Sequence, residues 1–302
     1  MKLELVDINK SFGDKHVLKD VSFKAESGVP LGFLGRNGAG KTTTIRTIMD
    51  VFSQDSGKIY LDGKEFVKSE NKIGYMPEER GMYATISIRD QLIYFGMLKG
   101  MNQKEAEESA KYWVDRFELN EYYKKNLDTL SKGNQQKIQI IQAVIDDPDI
   151  LILDEPFSGL DPINSKALSD VMMEYIDKGK IVIFSSHQMA SVEEFCDDIV
   201  IINNGKIVLN DSLDQVKREM GKGRKRVKLK DLSNYELKDY LLSKDSNMEI
   251  SEDKKSLIVK ANMSQEEFMS ILLDLDKEIE LFSDYAPSLN DVFIEVVGEY
   301  NE

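Results

Sequence analysis

The segment Gly35-Arg36-Asn37-Gly38-Ala39-Gly40-Lys41-Thr42 constrains this chain more than any other. It fits the pattern G-x-x-x-x-G-K-[ST], follows an apolar run at 31–34 and precedes a helical segment at 43–49. A strand, a glycine-rich turn and a helix in that order bend successive backbone N–H groups around an anion, and the helix N-terminus adds positive potential. Gly35, Asn37, Gly38 and Gly40 build the cradle, Lys41 neutralises phosphate oxygens, Thr42 offers a hydroxyl to Mg²⁺, and Thr43 opens the helix. The expected ligand is a nucleoside triphosphate.

Two further sites sit where such a fold needs them. The apolar run 150–153 ends in Asp154-Glu155, and ligands of open α/β sheets bind at the carboxyl ends of strands. Asp154 is placed to hold Mg²⁺ through its water shell, and Glu155 to orient the water that attacks the γ-phosphate. His187 follows the run 181–184 through Ser185-Ser186, again at a strand's end, within reach of the same phosphate. His16, the other histidine, reads as a surface residue.

The short apolar runs at 150–153, 181–184 and 199–202, with a helical stretch at 163–176, predict buried parallel strands and crossover helices. Alternation at 3–8 and, loosely, at 17–25 predicts two more strands, and apolar spacing at 103–117 and 135–145 makes the middle third helical. The expected class is α/β with a small second domain. The composition changes near residue 216, because 217–230 holds eight basic residues and one acid whereas 231–302 holds six basic and eighteen acidic. The expected organisation is residues 1–216 as the nucleotide-binding domain, 217–230 as a basic linker and first strand, and 231–302 as an accessory α+β domain. After residue 216 the order strand, helix, two strands, helix, strand, helix is expected, with Ser264 and Glu267 spaced as a capping box. The basic run reads as a solvated linker and edge strand, with contact to anionic lipid as its rival.

Among 302 residues, 40 Lys and Arg face 54 Asp and Glu, a net charge of −14, which argues against a nonspecific nucleic-acid binder. The single cysteine, Cys196, supports neither an internal disulfide nor a multi-thiolate metal site, so a reducing cytosolic compartment is expected. No apolar run approaches the ~20 residues that cross a bilayer, and the acidic start MKLELVDINKSFGD reads as no export signal. Any membrane role requires a separate spanning partner.

The order of the glycine-rich loop, Leu130-Ser131-Lys132-Gly133-Asn134-Gln135-Gln136, Asp154-Glu155, Ser158-Gly159-Leu160-Asp161 and His187 resembles the nucleotide-binding subunit of an ABC transporter over residues 1 to about 215. The resemblance implies a P-loop NTPase with a RecA-like core, an antiparallel β subdomain and a helical subdomain. It also implies ATP and Mg²⁺ as cofactors and a head-to-tail dimer, in which each ATP lies between one chain's loop and the other's signature segment. By the same resemblance Phe12 stacks on adenine, Ser131 and Gly133 reach the opposite γ-phosphate, Asp161 lies at the dimer interface and His187 is the switch histidine. Met82, Tyr83, Ile93, Tyr94, Phe95 and Leu98 lie where such a subunit docks its membrane permease, and aromatics and methionine suit an interface core.

Two departures stand out. Gly74-Tyr75-Met76-Pro77-Glu78 supplies a glutamate where the family usually has the glutamine that contacts metal and water, so Glu78 joins both the catalytic and the metal-binding candidates. Lys132 and Asn134 replace the usual glycine and glutamine of the signature. With these, the segment at 77–83 and the ending Pro287-Ser288-Leu289-Asn290-Asp291-Val292-Phe293 are similar to ATPases of type 2 exporters related to the sodium-exporting Nat-type system. The implied function is an ATP-hydrolysing subunit, peripheral on the cytoplasmic face, that energises a separate permease for export of Na⁺, a drug or a peptide. The rivals are an ABC ATPase without a transporter, acting on ribosomes or DNA, and a regulatory module that uses ATP for assembly.

Overall fold

Leu3 and Leu5 alternate with half-buried neighbours and Ile8 is buried again after two exposed residues, which commits the N-terminus to a sheet with one covered face. The computed structural model describes residues 1–78, 81–158, 160, 162–253 and 255–299. Strands β1 (Lys2–Phe12) and β2 (Lys15–Glu26) form a hairpin, and its buried residues join one core with the sheet below. That sheet starts with the wholly buried β3 (Leu31–Leu34), whose loop leads into α1 (Lys41–Ile48). Strands β4 (Ser56–Leu61) and β5 (Lys64–Glu65) complete the antiparallel sheet in the order β2-β1-β4-β5.

The chain then enters β6 (Ile73–Met76) and the helices α2 (Ile88–Leu98), α3 (Gln103–Arg116) and α4 (Lys132–Val144). Each of the three has a side-chain N-cap: Ser87, Asn102 and Ser131 accept from the backbone N–H three residues on. Such caps are each worth about 1 kcal/mol. Leu92, Ala106, Ala110, Trp113, Ile138 and Ile141 are buried along these helices. After α4 come β7 (Ile150–Asp154), α5 (Pro162–Asp177), β8 (Ile181–Ser186), α6 (Met189–Phe195), β9 (Asp198–Asn203) and β10 (Lys206–Ser212). The six-stranded order is β10-β9-β3-β8-β7-β6, parallel throughout except where β10 runs against β9. Every residue of β3, β7 and β8 is buried, as strands covered on both faces must be. The sheet places the carboxyl ends of β3, β8 and β7 side by side.

Two units divide the chain: residues 1–213 with the C-terminal end from 293, and residues 214–292. The stretch expected as basic linker and first strand holds the end of helix α7 (Leu213–Gly221) and the strand β11 (Arg224–Leu229). It continues into α8 (Asn234–Lys244), β12 (Glu249–Asp253), β13 (Ser256–Lys260), α9 (Gln265–Leu273), β14 (Ile279–Asp284) and α10 (Leu289–Glu299). That order follows the expected one. Val227, Leu229, Leu237, Leu241, Leu257, Val259, Phe268 and Leu272 form the second core, and capping boxes open α8 and α9.

One expectation fails here. The sheet order β12-β13-β11-β14 puts the basic strand β11 inside the sheet, not at its edge. Lys225, Lys228 and Lys230 pair with Asp284, Glu280 and Glu278, and Arg226 pairs with Asp253 at 2.6 Å. The acids that follow in the sequence return beside these four bases, so the strand part of the run is matched within its own domain.

Candidate nucleotide-binding and hydrolysis site

Close packing explains the first glycine of the loop, since a Cβ on Gly35 would lie 2.5 Å from the Ile202 carbonyl oxygen. Gly40 adopts φ 121°, a conformation that side chains rarely take, just before α1 begins. Lys41 is buried, yet its ammonium is partnered: Nζ donates to the Gly35 carbonyl at 2.7 Å and stands 3.6 Å from Glu155 Oε1. Around this loop lies a cleft of about 460 Å³. Asn37, Gly38, Gly40, Lys41, Thr42 and Thr43 line it together with Phe12 and Glu78. Phe12, 47% exposed at the end of β1, meets Phe52 edge-on at 5.1 Å, and the Lys10 ammonium lies 5.6 Å from its ring. An open aromatic face beside a phosphate cradle suits a base.

At the ends of β7 and β8 the second half of the site assembles. Asp154 is 1% exposed, and its Oδ1 accepts from the Ser185 hydroxyl, whereas its Oδ2 has no hydrogen-bond partner. Burial raises its pKa, and the hydroxyls of Ser185 and Thr42 oppose that rise. Glu155 sits at φ 52°, left-handed for a residue with a side chain. Its amide donates to the Ser185 carbonyl at 3.1 Å, and its Oε2 accepts the His187 amide at 3.3 Å and stands 2.8 Å from His187 Nδ1. Its Oε1 also lacks a hydrogen-bond partner.

These features fit Mg²⁺. An unpartnered, buried carboxylate oxygen on Asp154, the neighbouring Thr42 hydroxyl and the Glu78 carboxylate at the cleft make an all-oxygen donor set, the kind a hard cation takes. Among the expected residues, Gly35, Asp154, Glu155 and His187 lie outside the cleft lining, and Ser131 and Gly133 do not line it either. Ser131 is exposed at the start of α4, its hydroxyl accepting the Asn134 amide at 3.3 Å, and Gly133 follows in the first turn. Asp161 lies outside the described residues. Lys15 and Arg36 also line the cleft, although no motif assigns them a role. Arg36 was legible as a basic residue inside the glycine pattern, and Lys15 as one three positions after Phe12.

The family described as ABC transporter matches residues 18–158, and the family described as ATP-binding protein DrrA1-3-like, C-terminal domain, matches residues 212–297. YhaQ of Bacillus subtilis, described as an uncharacterized ABC transporter ATP-binding protein, is 40% identical over 304 residues, covering 99% of this chain and 100% of its own. The chain belongs to the ABC transporter ATP-binding proteins. It is therefore an ABC-type ATPase of the P-loop fold, with a DrrA-like C-terminal domain. NatA of the same organism, an ABC transporter ATP-binding protein, is 34% identical over 223 residues, covering 71% of this chain and 91% of its own. The Nat-type resemblance thus rests on a relative less similar than YhaQ. A solved ATP-binding subunit of an ABC transporter superimposes with a TM-score of 0.67 at 31% identity, covering 73% of this chain and 94% of that one. Among the described residues of this ABC ATPase, no helix is long and apolar enough to cross a membrane.

Proposed function

We propose that this ABC ATPase hydrolyses ATP to power a separate membrane-spanning permease, working on its cytoplasmic face in the direction of export. The observation that carries the hydrolytic part is the junction of the cleft with the carboxylate pair: Lys41 of the cradle reaches Glu155, and Glu155 reaches His187. On this reading Lys41 moves its charge from Glu155 to the β and γ phosphates as ATP enters. Glu155 then orients and polarises the attacking water, with Oε2 held by His187 and Oε1 without a hydrogen-bond partner. Phe12 stacks on the base, while Thr42, Asp154 and Glu78 would hold Mg²⁺, which when bound neutralises the phosphate oxygens.

Ser131 and Gly133 lie outside the cleft, at an exposed helix N-terminus, a natural anion site. We assign them to the ATP of a second ATPase subunit, most simply a second copy, with Asp161 at the interface. Tyr83, Tyr94, Met97 and Leu98 are exposed, and the Tyr83 and Phe95 rings stack at 6.5 Å, a face of the composition that interfaces favour. We assign this face to the permease. Ile93 is buried and belongs to the subdomain's own core. Export, and Na⁺, a drug or a peptide as cargo, follow from the resemblance of the C-terminal ending to exporter ATPases.

Tagged Glu155→Gln protein trapped with ATP and Mg²⁺ in its own membranes tests the reading. Stoichiometric recovery of a polytopic membrane protein supports it. Recovery of ribosomes, soluble proteins or nothing, with the ATP-bound dimer formed, overturns the transport role and leaves the ATPase.

A further inference from the structure

Glu155 carries a backbone strain that its surroundings must hold. Its φ of 52° is costly for a residue with a Cβ, and such conformations persist where neighbouring contacts over-determine them. Three of those contacts are local to the strand ends: the Glu155 amide donates to the Ser185 carbonyl at 3.1 Å and to the Ser185 hydroxyl at 3.2 Å, and the Ser158 amide donates to the Glu155 carbonyl at 3.1 Å. A further bond, one residue on, arrives from α4. Gln136 Nε2 donates to the carbonyl of Pro156, the next residue, at 2.6 Å.

Proline has no N–H, so the Pro156 carbonyl is the only backbone polar handle at that position. Among the described residues no other hydrogen bond to that carbonyl is seen. The preceding glutamine does something different, because Gln135 Nε2 donates back to the Leu127 and Leu130 carbonyls at 3.1 and 3.0 Å. Successive side chains near the start of one helix therefore grip the loop before it and the loop that carries the carboxylate. Gln136 lies five residues after Ser131, the N-cap of the same helix.

We propose that Gln136 is a positioning residue for hydrolysis: it fixes the Pro156 peptide so that the Glu155 carboxylate stays oriented between Lys41 and His187, and it passes displacement of the start of α4 to that carboxylate. The inference rests on the reading of Glu155 as the group that orients water. A half-buried side chain with an amide donor of this length is required; asparagine is too short, and methionine keeps the shape without the donor.

Steady-state hydrolysis and nucleotide affinity of Gln136→Met test it, with Gln136→Ala as a second variant should the sulfur disturb folding. The expected result is kcat lowered about tenfold, the loss of one aligning hydrogen bond, with KM for ATP and the melting temperature near wild type. In the Glu155→Gln background the same substitution should cause no further loss of the slow single-turnover rate measured over hours, since its effect runs through the missing carboxylate. A wild-type kcat in both Gln136 variants, or a full tenfold loss repeated in the Glu155→Gln background, overturns the positioning role. Normal hydrolysis by Glu155→Gln alone would instead overturn the underlying assignment of Glu155, so the two failures are distinguishable.

Discussion

His187 Nδ1 stands 2.8 Å from Glu155 Oε2, a contact between the ends of two neighbouring parallel strands. It ties the imidazole, 46% exposed, to a carboxylate that is almost wholly buried. Glu155→Gln keeps the shape but loses the basicity, so turnover should fall by about 10²- to 10⁴-fold while ATP still binds. Phosphate release and equilibrium nucleotide binding, measured on the same preparation, check the two halves. His187→Ala should lower kcat by about tenfold or more, through loss of the hold on Oε2.

Lys41 gives a prediction about binding. Its ammonium lies between the Gly35 carbonyl and the Glu155 carboxylate, ready to exchange those partners for phosphate oxygens. Lys41→Ala removes the one buried cation of the cradle and should weaken ATP affinity by about tenfold or more, as lost charge-assisted hydrogen bonds do. Titration calorimetry reads the loss directly. An unaltered affinity would place the phosphates elsewhere.

At the cleft wall, Glu78 adds a negative charge where glutamine would be neutral. A carboxylate binds a divalent cation more strongly than an amide does. Glu78→Gln should therefore raise the Mg²⁺ concentration for half-maximal hydrolysis several-fold, and the Mn²⁺ requirement with it. Identical metal titrations in wild type and variant would remove Glu78 from the metal site.

The C-terminal motif has a physical basis that spacing had not revealed. Ser288 caps α10, its hydroxyl accepting the Asp291 amide at 3.2 Å, while Asp291 Oδ2 accepts the Ser288 amide at 2.9 Å and the Tyr285 hydroxyl at 3.0 Å. Burial pushes the Asp291 carboxyl up, but the Ser288 hydroxyl and amide, Tyr285 and Arg226 outweigh it and hold the group below its ordinary range. A folded-state value lowered in this way adds stability that is present at neutral pH and is lost as pH falls through that value. Ser288→Ala should cost about 1 kcal/mol at pH 7. For Asp291→Asn, the deficit against wild type should shrink as pH drops below about 3.9. Hydrogen exchange of the α10 amides follows both.

Much of this was legible in the chain. The unbroken apolar runs that became β3, β7 and β8 admit little else in an α/β protein, and Gly35 to Thr42 is a phosphate site by composition and context. What the residues could not disclose is long-range pairing. Val227 and Leu229 show that β11 has a buried face, but its interior position depends on β13 and β14, which follow later in the chain. Helix α7 leaves little trace in the sequence because its few apolar residues are outweighed by the basic run it leads into. Nor does any spacing rule foresee the left-handed turn at Glu155 or the bond from Gln136 to Pro156.

The position of β3 also governs how the protein comes off the ribosome. Both flanks of that strand are supplied late, since Leu31 pairs with Ile183 on one side and Asp198 on the other. At about 5 to 20 residues per second, roughly 8 to 30 s of translation separate the synthesis of the phosphate loop from that of the strands that hold it in place. A nascent chain through those seconds carries an apolar strand without neighbours and a cradle without a floor, so nucleotide cannot template the early steps of folding, and chaperones have a defined interval in which to act.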